Sequence, residues 1–264
     1  MNILYLGDVM GNVGIETVEQ HLPKLAKDNG VDFVIAQAEN STDGRGISVA
    51  DFKRLLVAGV DFCTGGNWSL NLEEIIPYLS DPKEPIIRPA NYPNGTPGLG
   101  YKYAKLPAGN ILVISLLGNV VGRDSDKPTD NVLQTIDWIL SQEKDTEKIA
   151  TIVNFHGDYS SEKVVIGHYL DGRVTAVVGD HWHVPTADAR ILPGGTAHIS
   201  DVGMCGVLES SLGITYSSVI PRWRNGVKTR NILETNGPRQ LNGVIISTRN
   251  DGLATSIKHI RQLF

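Results

Sequence analysis

The sequence predicts an α/β fold, and two observations support that prediction. Over the first two-thirds of the 264 residues, short apolar runs alternate with amphipathic segments of helical period, which is typical of α/β proteins. Near the carboxyl end, the turn sequence Arg249-Asn250-Asp251-Gly252 separates two strand-like runs and indicates an antiparallel hairpin. Because no internal repeat or linker interrupts the chain, we expect a single domain spanning residues 1–264.

The amino-terminal part contains three predicted strands and two predicted helices. The first helix carries an apolar stripe that includes Ile15, Val18 and Leu22. The second begins at Ser48, which together with Asp51 is typical of a helix N-terminus. In chain order the predicted elements are a strand at 3–6, a helix at 15–28, a strand at 31–36, a helix at 48–59 and a strand at 60–63.

The remainder of the chain continues the alternation and then becomes antiparallel. A proline-rich loop occupies residues 89–97, and Ser160 is expected to cap a helix. Pro193-Gly194-Gly195 is expected to form a turn. The predicted elements are strands at 101–106 and 111–117, a helix at 131–142, a strand at 150–155, a helix at 160–170, a strand at 174–178, paired strands at 191–192 and 197–199, and a hairpin of 241–248 with 254–260.

Composition excludes several classes of protein. The chain has 24 Lys plus Arg against 29 Asp plus Glu, a formal net charge of −5, whereas nucleic-acid-coating proteins carry a basic surplus. Cys63 and Cys205 belong to no CxxC motif, so neither a disulfide framework nor a zinc knuckle is indicated. No signal peptide is evident, and the longest apolar run, 111–117, is too short to span a membrane. We therefore expect a soluble cytoplasmic protein with neither a membrane partner nor a large nucleic-acid surface, and a homo-oligomer stays open.

Polar residues follow the carboxyl ends of the predicted strands, where α/β sheets form their binding sites. These residues are Asp8, Glu39, Asn40, Asn67, His156, His181 and His183. Carboxylate, amide and imidazole donors together suit Mn, Fe or Zn better than an all-oxygen magnesium site. Two such metals bridged by a carboxylate would hold a phosphoryl group and generate a hydroxide nucleophile at neutral pH. The His181/His183 pair is the strongest single indication of metal binding.

The order of these motifs resembles that of calcineurin-like metallophosphoesterases, and more specifically their bacterial YmdB-like branch. The motifs are Gly7-Asp8, Glu39-Asn40, Gly66-Asn67, His156 and Gly179-x-His181-x-His183. Further matching stretches lie at 87–93, 95–98, 169–174, 190–197 and 201–204, so the resemblance covers nearly the whole chain and is weakest between 208 and 240. It implies a four-layer α/β/β/α sandwich. It also implies an enzyme that hydrolyses phosphodiesters, with 2′,3′-cyclic or 3′,5′-cyclic nucleotides as substrates, through attack of a metal-bound hydroxide.

The resemblance further implies two divalent or mixed-valence transition metals, namely Fe, Mn or Zn. The ligands of one metal would be Asp8, Glu39, Asn40 and His183. The ligands of the other would be Glu39, Asn67, His156 and His181. Glu39 would therefore bridge the pair.

Trp68 departs from the family pattern. The family usually places a histidine directly after the asparagine, where it is thought to protonate the leaving oxygen, but here Trp68 follows Asn67. Indole is not an acid at neutral pH, and general acid catalysis typically contributes about 10²–10⁴-fold. The catalytic acid is thus unassigned, with Asp158, Asp180 and His198 as the candidates nearest by motif position.

Two alternatives stay open. Gly7, Gly11 and Gly14 follow a strand and precede a helix, which is compatible with a dinucleotide-binding enzyme, although the spacing departs from GxGxxG. Bound nicotinamide or flavin would indicate that class. The second alternative is a metal-binding sensor or regulatory protein with weak or no turnover, because Trp68 occupies the acid position.

Overall fold

Two β-sheets pack face to face, and helices cover the outer surface of each. The description comes from a computed structural model and covers residues 1–121 and 126–264. The four-layer α/β/β/α sandwich expected from the resemblance is confirmed. None of the described helices is long and apolar enough to cross a membrane.

The elements follow one another as strands and helices of ordinary length, with some very short strands. In chain order they are β1 (Asn2–Leu6), β2 (Asp8–Val9), α1 (Gly11–Asp28), β3 (Phe33–Gln37), α2 (Val49–Val57), β4 (Phe62–Thr64), a 3₁₀ turn (Glu73–Ile75), α3 (Ile76–Ser80), β5 (Tyr101–Leu106), β6 (Gly109–Leu117), α4 (Val132–Gln142), β7 (Ala150–His156), α5 (Ser160–Tyr169), β8 (Ala176–Asp180), β9 (Arg190–Ile191), β10 (Ala197–Ile199), β11 (Met204–Val207), α6 (Tyr216–Asn225), β12 (Arg239–Thr248) and β13 (Ala254–Leu263).

Each sheet combines a parallel centre with antiparallel additions. The first has the order β2-β11-β12-β1-β3-β4, and β13 pairs with β12. In it β1, β3 and β4 are parallel, whereas β12 is antiparallel to β1, β11 and β13. The second has the order β5-β6-β7-β8-β10-β9, in which β6, β7, β8 and β10 are parallel. The carboxyl ends of β3 and β4 lie on one edge of the first sheet, and those of β7 and β8 on one edge of the second. The two edges meet where His156, at the end of β7, contacts Glu39, just after β3.

The central strands are buried on both faces, which explains their continuous apolar sequences. In β1, Ile3 and Tyr5 belong to the core between the sheets. Leu4 and Leu6 point the other way and pack with helical residues such as Ile15. A third core lies between the second sheet and helices α4 and α5. These three layers of apolar contact hold the strand ends in fixed relative positions.

Most predicted elements are present, with shifted ends, and several short ones were not predicted. Ser48 caps α2 as expected, since its Oγ accepts a hydrogen bond from Asp51 N at 3.1 Å. The prediction that Ser160 caps a helix is wrong, because Tyr159 is the N-cap of α5 and makes no side-chain cap bond. The unpredicted elements are β2, α3, β11 and α6.

Candidate metal centre

The seven predicted ligands converge from five strand ends onto one buried site. His156, the last residue of β7, is the centre of the group. Its Nε2 lies 3.0 Å from Glu39 Oε1 and 3.0 Å from Asn67 Oδ1, and its ring centroid is 4.3 Å from that of His181. Asn40 lines a cavity together with His181 and His183, and His183 Nε2 lies 3.6 Å from Asp8 Oδ1.

Within residues 1–121 and 126–264, three buried oxygens of this group have no hydrogen-bond donor in bonding geometry, although His156 Nε2 lies 3.0 Å from one of them. They are Asp8 Oδ1, Glu39 Oε1 and Asn40 Oδ1. An unpartnered buried oxygen is costly, and native proteins almost always satisfy such atoms. Three oxygens in this condition beside imidazole nitrogens match the donor set that a transition metal takes. The residues present therefore fit a metal centre.

Backbone donors from the loop after β4 orient Glu39. Its Oε2 accepts hydrogen bonds from Gly66 N and from Trp68 N, the latter at 2.9 Å. Oε1 is consequently left facing His156. Gly66 is required at this point because a Cβ there would lie 2.3 Å from the His156 ring. The Gly66-Asn67 motif thus allows the close contact between the two sheets.

Asp180 positions His156 and is not placed to act as an acid. Asp180 Oδ1 lies 2.7 Å from His156 Nδ1, and its other oxygen accepts from Tyr5 Oη at 2.9 Å and from Asn154 Nδ2. Burial alone would raise the pKa of Asp180, but the hydrogen bond and charge of His156 lower it. A carboxylate behind a histidine in this way directs the opposite ring nitrogen at a metal.

His181 and His183 adopt left-handed backbone conformations. Their φ angles are 98° and 61°, in a region that costs non-glycine residues roughly 1–3 kcal/mol. Two carboxylates hold this segment: Asp8 Oδ2 accepts from His181 N at 3.2 Å, and Asp201 Oδ2 accepts from Trp182 N at 2.9 Å. The strained segment places both imidazoles at the site.

The electrostatics of the site favour bound cations. Burial, followed by the charge of Asp180, raises the pKa of Asp8 well above its ordinary value. Burial, followed by the charge of His181, lowers the pKa of His183 to about 3. Burial and the charge of His156 lower the pKa of His181 as well. The Asp8 carboxylate thus lacks a compensating positive charge, while the two imidazoles are neutral at pH 7 and keep the lone pairs that a metal needs.

His156 responds in the opposite direction. Burial would lower its pKa, but Glu39 and Asp180 together raise it well above the ordinary value. A cation placed near Nε2 would therefore compete with a proton.

The next question is which side chain could protonate a leaving group, since Trp68 occupies the position of the family's acid. Arg45 and Lys127 contact the Trp68 ring, at 4.8 and 5.4 Å from its centroid. Asp158 Oδ2 lies 3.2 Å from His181 Nε2. Burial would raise the pKa of Asp158, but the hydrogen bond with His181 and that from Val121 N lower it. Asp158 is thus ionised at neutral pH.

His198 lies outside the centre. Its ring is buried beneath α5, where Nε2 is 3.0 Å from the Lys163 carbonyl oxygen. Of the three candidates, only Asp158 is both partly exposed and in contact with a predicted ligand.

The glycines that raised the dinucleotide alternative serve close packing. A Cβ at Gly7 would lie 1.9 Å from the Gly203 carbonyl oxygen, and one at Gly14 would lie 2.5 Å from that of Cys205. Gly11 N donates to the Asn40 carbonyl at 2.9 Å. The amino end of α1 is therefore packed against the 203–205 segment and the Asn40 loop.

Comparisons with known proteins agree with this architecture. The family described as YmdB-like protein matches residues 4–260. A Bacillus subtilis (strain 168) protein named 2′,3′-cyclic-nucleotide 2′-phosphodiesterase is 38% identical over 246 residues, which cover 93% of this chain and 90% of that protein. A crystal structure of a hypothetical protein from Thermus thermophilus is 32% identical, with a TM-score of 0.89 and coverage of 100% of this chain and 99% of that chain. A crystal structure of a novel phosphatase from Mycoplasma pneumoniae is 29% identical, with a TM-score of 0.91 and coverage of 100% and 93%. With the family match extending over nearly its whole length, the chain belongs to the YmdB-like family of the calcineurin-like phosphoesterase superfamily.

Proposed function

We propose that this chain is a binuclear metal-dependent phosphodiesterase that hydrolyses 2′,3′-cyclic nucleotides. The observation that carries the proposal is the set of three unpartnered buried oxygens, Asp8 Oδ1, Glu39 Oε1 and Asn40 Oδ1, beside three imidazoles. The name of the Bacillus subtilis relative supports the substrate class. Nucleotides with a 3′,5′-cyclic ring are the second class to test.

The proposed ligand assignment is the one that the family resemblance implies. Asp8, Asn40 and His183 would hold one metal, and Asn67, His156 and His181 would hold the other. Glu39 would bridge them, because its Oε2 is held by backbone amides and its Oε1 faces His156. Transition metals bound there would act as Lewis acids on the phosphoryl oxygens and lower the pKa of a water molecule.

The chain's own side chains account for orientation and for the choice of substrate. Asp180 keeps His156 directed at the centre, and Asp8 and Asp201 hold the histidine segment. Trp68 occupies the family's acid position and Asp158 is ionised, so neither of these side chains would protonate the leaving oxygen at neutral pH. Opening a five-membered 2′,3′-cyclic phosphate releases ring strain, so that leaving oxygen needs less help from an acid than other alkoxides do. This favours 2′,3′-cyclic over 3′,5′-cyclic substrates.

The second candidate function is metal-dependent phosphate binding without appreciable turnover. It is favoured by the contacts of Arg45 and Lys127 with the Trp68 ring, because cations at that position can hold a phosphate anion in place. A sensor of this kind would keep both metals.

Elemental analysis and two paired assays test the proposal. Protein purified without chelators should contain two equivalents of Fe, Mn or Zn, and should hydrolyse both bis-p-nitrophenyl phosphate and adenosine 2′,3′-cyclic phosphate. His156→Ala should lose metal and both activities, while His168→Ala, which removes an exposed histidine from α5, should lose neither. Metal-loaded protein that turns over only the aryl diester would favour the sensor, and metal-free wild-type protein would refute both functions.

A further inference from the structure

A cavity of about 450 Å³ opens beside the predicted metal ligands. Its lining includes His181 and His183 and also Arg45, Arg222 and Arg230. Its volume is within the range of small-ligand sites in proteins. The cavity therefore connects the metal centre to a group of cationic side chains.

The cationic group continues into a second depression. A neighbouring cavity of about 490 Å³ shares Arg45, Arg222 and Arg230 with the first and adds Lys228. Lys228 does not line the first cavity, so the positive charge extends beyond the position of a phosphoryl group held by the metals. A single phosphate bound at the metal centre would not neutralise this outer positive charge.

The four cations lack acidic partners. Within residues 1–121 and 126–264, no carboxylate lies within 4.0 Å of the charged atoms of Arg45, Arg222, Lys228 or Arg230. Some other surface arginines do have such a partner, as Arg239 has in Glu16 at 2.7 Å. Four unpaired cations in a chain of net charge −5 create a local positive potential that attracts an anion.

Arg222 is held in place by neutral groups. Its Nη2 donates to the Thr229 carbonyl at 3.1 Å, to Thr229 Oγ1 at 2.9 Å and to Asn231 Oδ1 at 2.7 Å. These contacts orient the guanidinium but leave its charge uncompensated. An oriented guanidinium is well suited to a phosphate, because its remaining donors match the spacing of phosphate oxygens.

Aromatic side chains share the first cavity with these cations. Trp68 and Trp223 both line it, and Trp223 is 82% exposed. Exposed indoles beside a cationic groove provide stacking surfaces for nucleic-acid bases. The cavity thus combines a metal centre, a stacking surface and a separate cationic cluster.

We propose that Arg45, Arg222, Lys228 and Arg230 form a second phosphate subsite, which binds the phosphate on the 5′ side of the nucleotide that reacts at the metals. The inference rests on the proposed function and narrows its substrate class. The preferred substrate is then a 2′,3′-cyclic nucleotide that also carries a 5′ phosphate, either as a monoester or as the next phosphodiester of a short oligonucleotide.

The test compares three substrates with the metal-loaded enzyme. These are adenosine 2′,3′-cyclic phosphate, its 5′-phosphorylated form, and the dinucleotide ApA ending in a 2′,3′-cyclic phosphate. We expect kcat/KM for at least one phosphate-bearing substrate to exceed that for the first about tenfold, as expected for charge-assisted hydrogen bonds. A gain for the monoester alone, or for the dinucleotide as well, identifies the form of the second phosphate. This ratio should fall as salt rises from about 0.05 to 0.2 M.

A double variant of the cluster and a control variant at another exposed cation show whether the effect comes from the cluster. In Lys228→Ala/Arg230→Ala the ratio of kcat/KM values should fall towards one. In Arg224→Ala the ratio should stay at the wild-type value, because exposed Arg224 is on the same helix as Arg222 but lines neither cavity. A wild-type ratio near one, or a ratio that survives in the double variant, overturns the subsite while leaving the phosphodiesterase assignment intact.

A binding measurement keeps the test independent of turnover. Isothermal titration should show that adenosine 3′,5′-bisphosphate binds wild-type protein about tenfold more tightly than adenosine 3′-monophosphate does, and that the double variant loses this difference. Equal affinity, or no detectable binding of the bisphosphate, refutes the subsite. Failure to hydrolyse every diester with the binding difference preserved refutes the catalytic function alone.

Discussion

Replacing the buried Lys163 with methionine is expected to destabilise the fold and release the histidine pair of the metal centre. Lys163, on α5, is 1% exposed. Its Nζ donates to the Asp180 carbonyl, lies 3.2 Å from Asp201 Oδ2 and is 4.5 Å from the centroid of the Trp182 ring. Asp201 in turn accepts a hydrogen bond from Trp182 N, between the two histidines proposed as ligands. Removing the ammonium therefore affects both the core and the site.

The magnitude follows from burial and distance. Unit charges 3.2 Å apart attract each other by about 5 kcal/mol at an effective dielectric constant of 20. Burial nevertheless raises the pKa of Asp201 to about 6, so desolvation outweighs that attraction. Removing one partner of a buried pair leaves a buried charge behind and typically costs about 3–5 kcal/mol. This is a large share of a total stability of about 5–15 kcal/mol.

The pH dependence has a definite sign. The folded pKa of Asp201, about 6, lies above the unfolded value of about 3.9. The difference between these two pKa values stabilises the folded protein by its full amount below about pH 4. This contribution to the free energy of unfolding, about 3 kcal/mol in total, is lost as the pH rises through 6. Without Lys163 the pKa of Asp201 should rise further. The variant should then regain stability, relative to the wild type, as the pH falls from 8 to 6.

Urea unfolding at pH 8, 7 and 6, together with metal analysis, measures these effects. Lys163→Met should lower the free energy of unfolding by about 3–5 kcal/mol at pH 7 and reduce metal content. Adding Asp201→Asn should recover much of the stability, because no buried charge is left unpaired. Lys24→Met is the control, since it removes an exposed pair with Asp28 and should cost under about 1 kcal/mol. A loss below about 1 kcal/mol for Lys163→Met, or no recovery in the double variant, would show that the pair does not stabilise this segment.

Three further predictions concern the metal centre itself. Glu39→Gln should empty at least one site and lose more metal than Asn40→Ala, because two neighbouring cations repel each other without an anion between them. Equal or reversed losses, measured by elemental analysis, would mean that Glu39 is not the bridging ligand. His181→Ala and His183→Ala should each lose metal while circular dichroism shows a retained fold, and unchanged stoichiometry in both would defeat the ligand assignment. Trp68→His should raise turnover of cyclic nucleotides by at most about 10²–10⁴-fold with little effect on the aryl diester, and a metal-loaded variant without that selective gain would mean that another group already donates the proton.

Local patterns were sufficient to predict most of the fold. Apolar runs and turn residues predicted β5 over the same residues, and β1, β7, α2 and the β12–β13 hairpin within a few residues. The two-residue strand β2 and the four-residue strand β11 gave no such signal, because they are short and form by pairing with segments far away in the chain. Helix α6 was missed because Pro221 interrupts its pattern. The division into two facing sheets came from the family resemblance, since apolar runs do not show which sheet a strand joins.

The candidate site was predicted as a set of residues but not as an arrangement. Strand-end positions identified the polar side chains that the structure brings together, since parallel strands present their carboxyl ends at one edge. The roles of Asp180, Lys163 and Asp201 were not predictable, because each depends on a buried contact between residues far apart in sequence. The cationic cluster was also missed. It combines Arg45 with Arg222 of α6 and with Lys228 and Arg230 just after that helix, where the family resemblance is weakest.

The His181/His183 pair shows why spacing alone could indicate ligands without defining their geometry. In an extended strand, residues two apart point to the same side, but here both residues have positive φ and the backbone turns between them. Such a turn is unfavourable for a histidine, and it persists only because Asp8 and Asp201 accept the amides of His181 and Trp182. The other oxygen of Asp8, Oδ1, is buried 3.6 Å from His183 Nε2. In the proposed centre one carboxylate would both hold the strained turn and bind metal, so loss of Asp8 should disturb the histidines as well as reduce metal content.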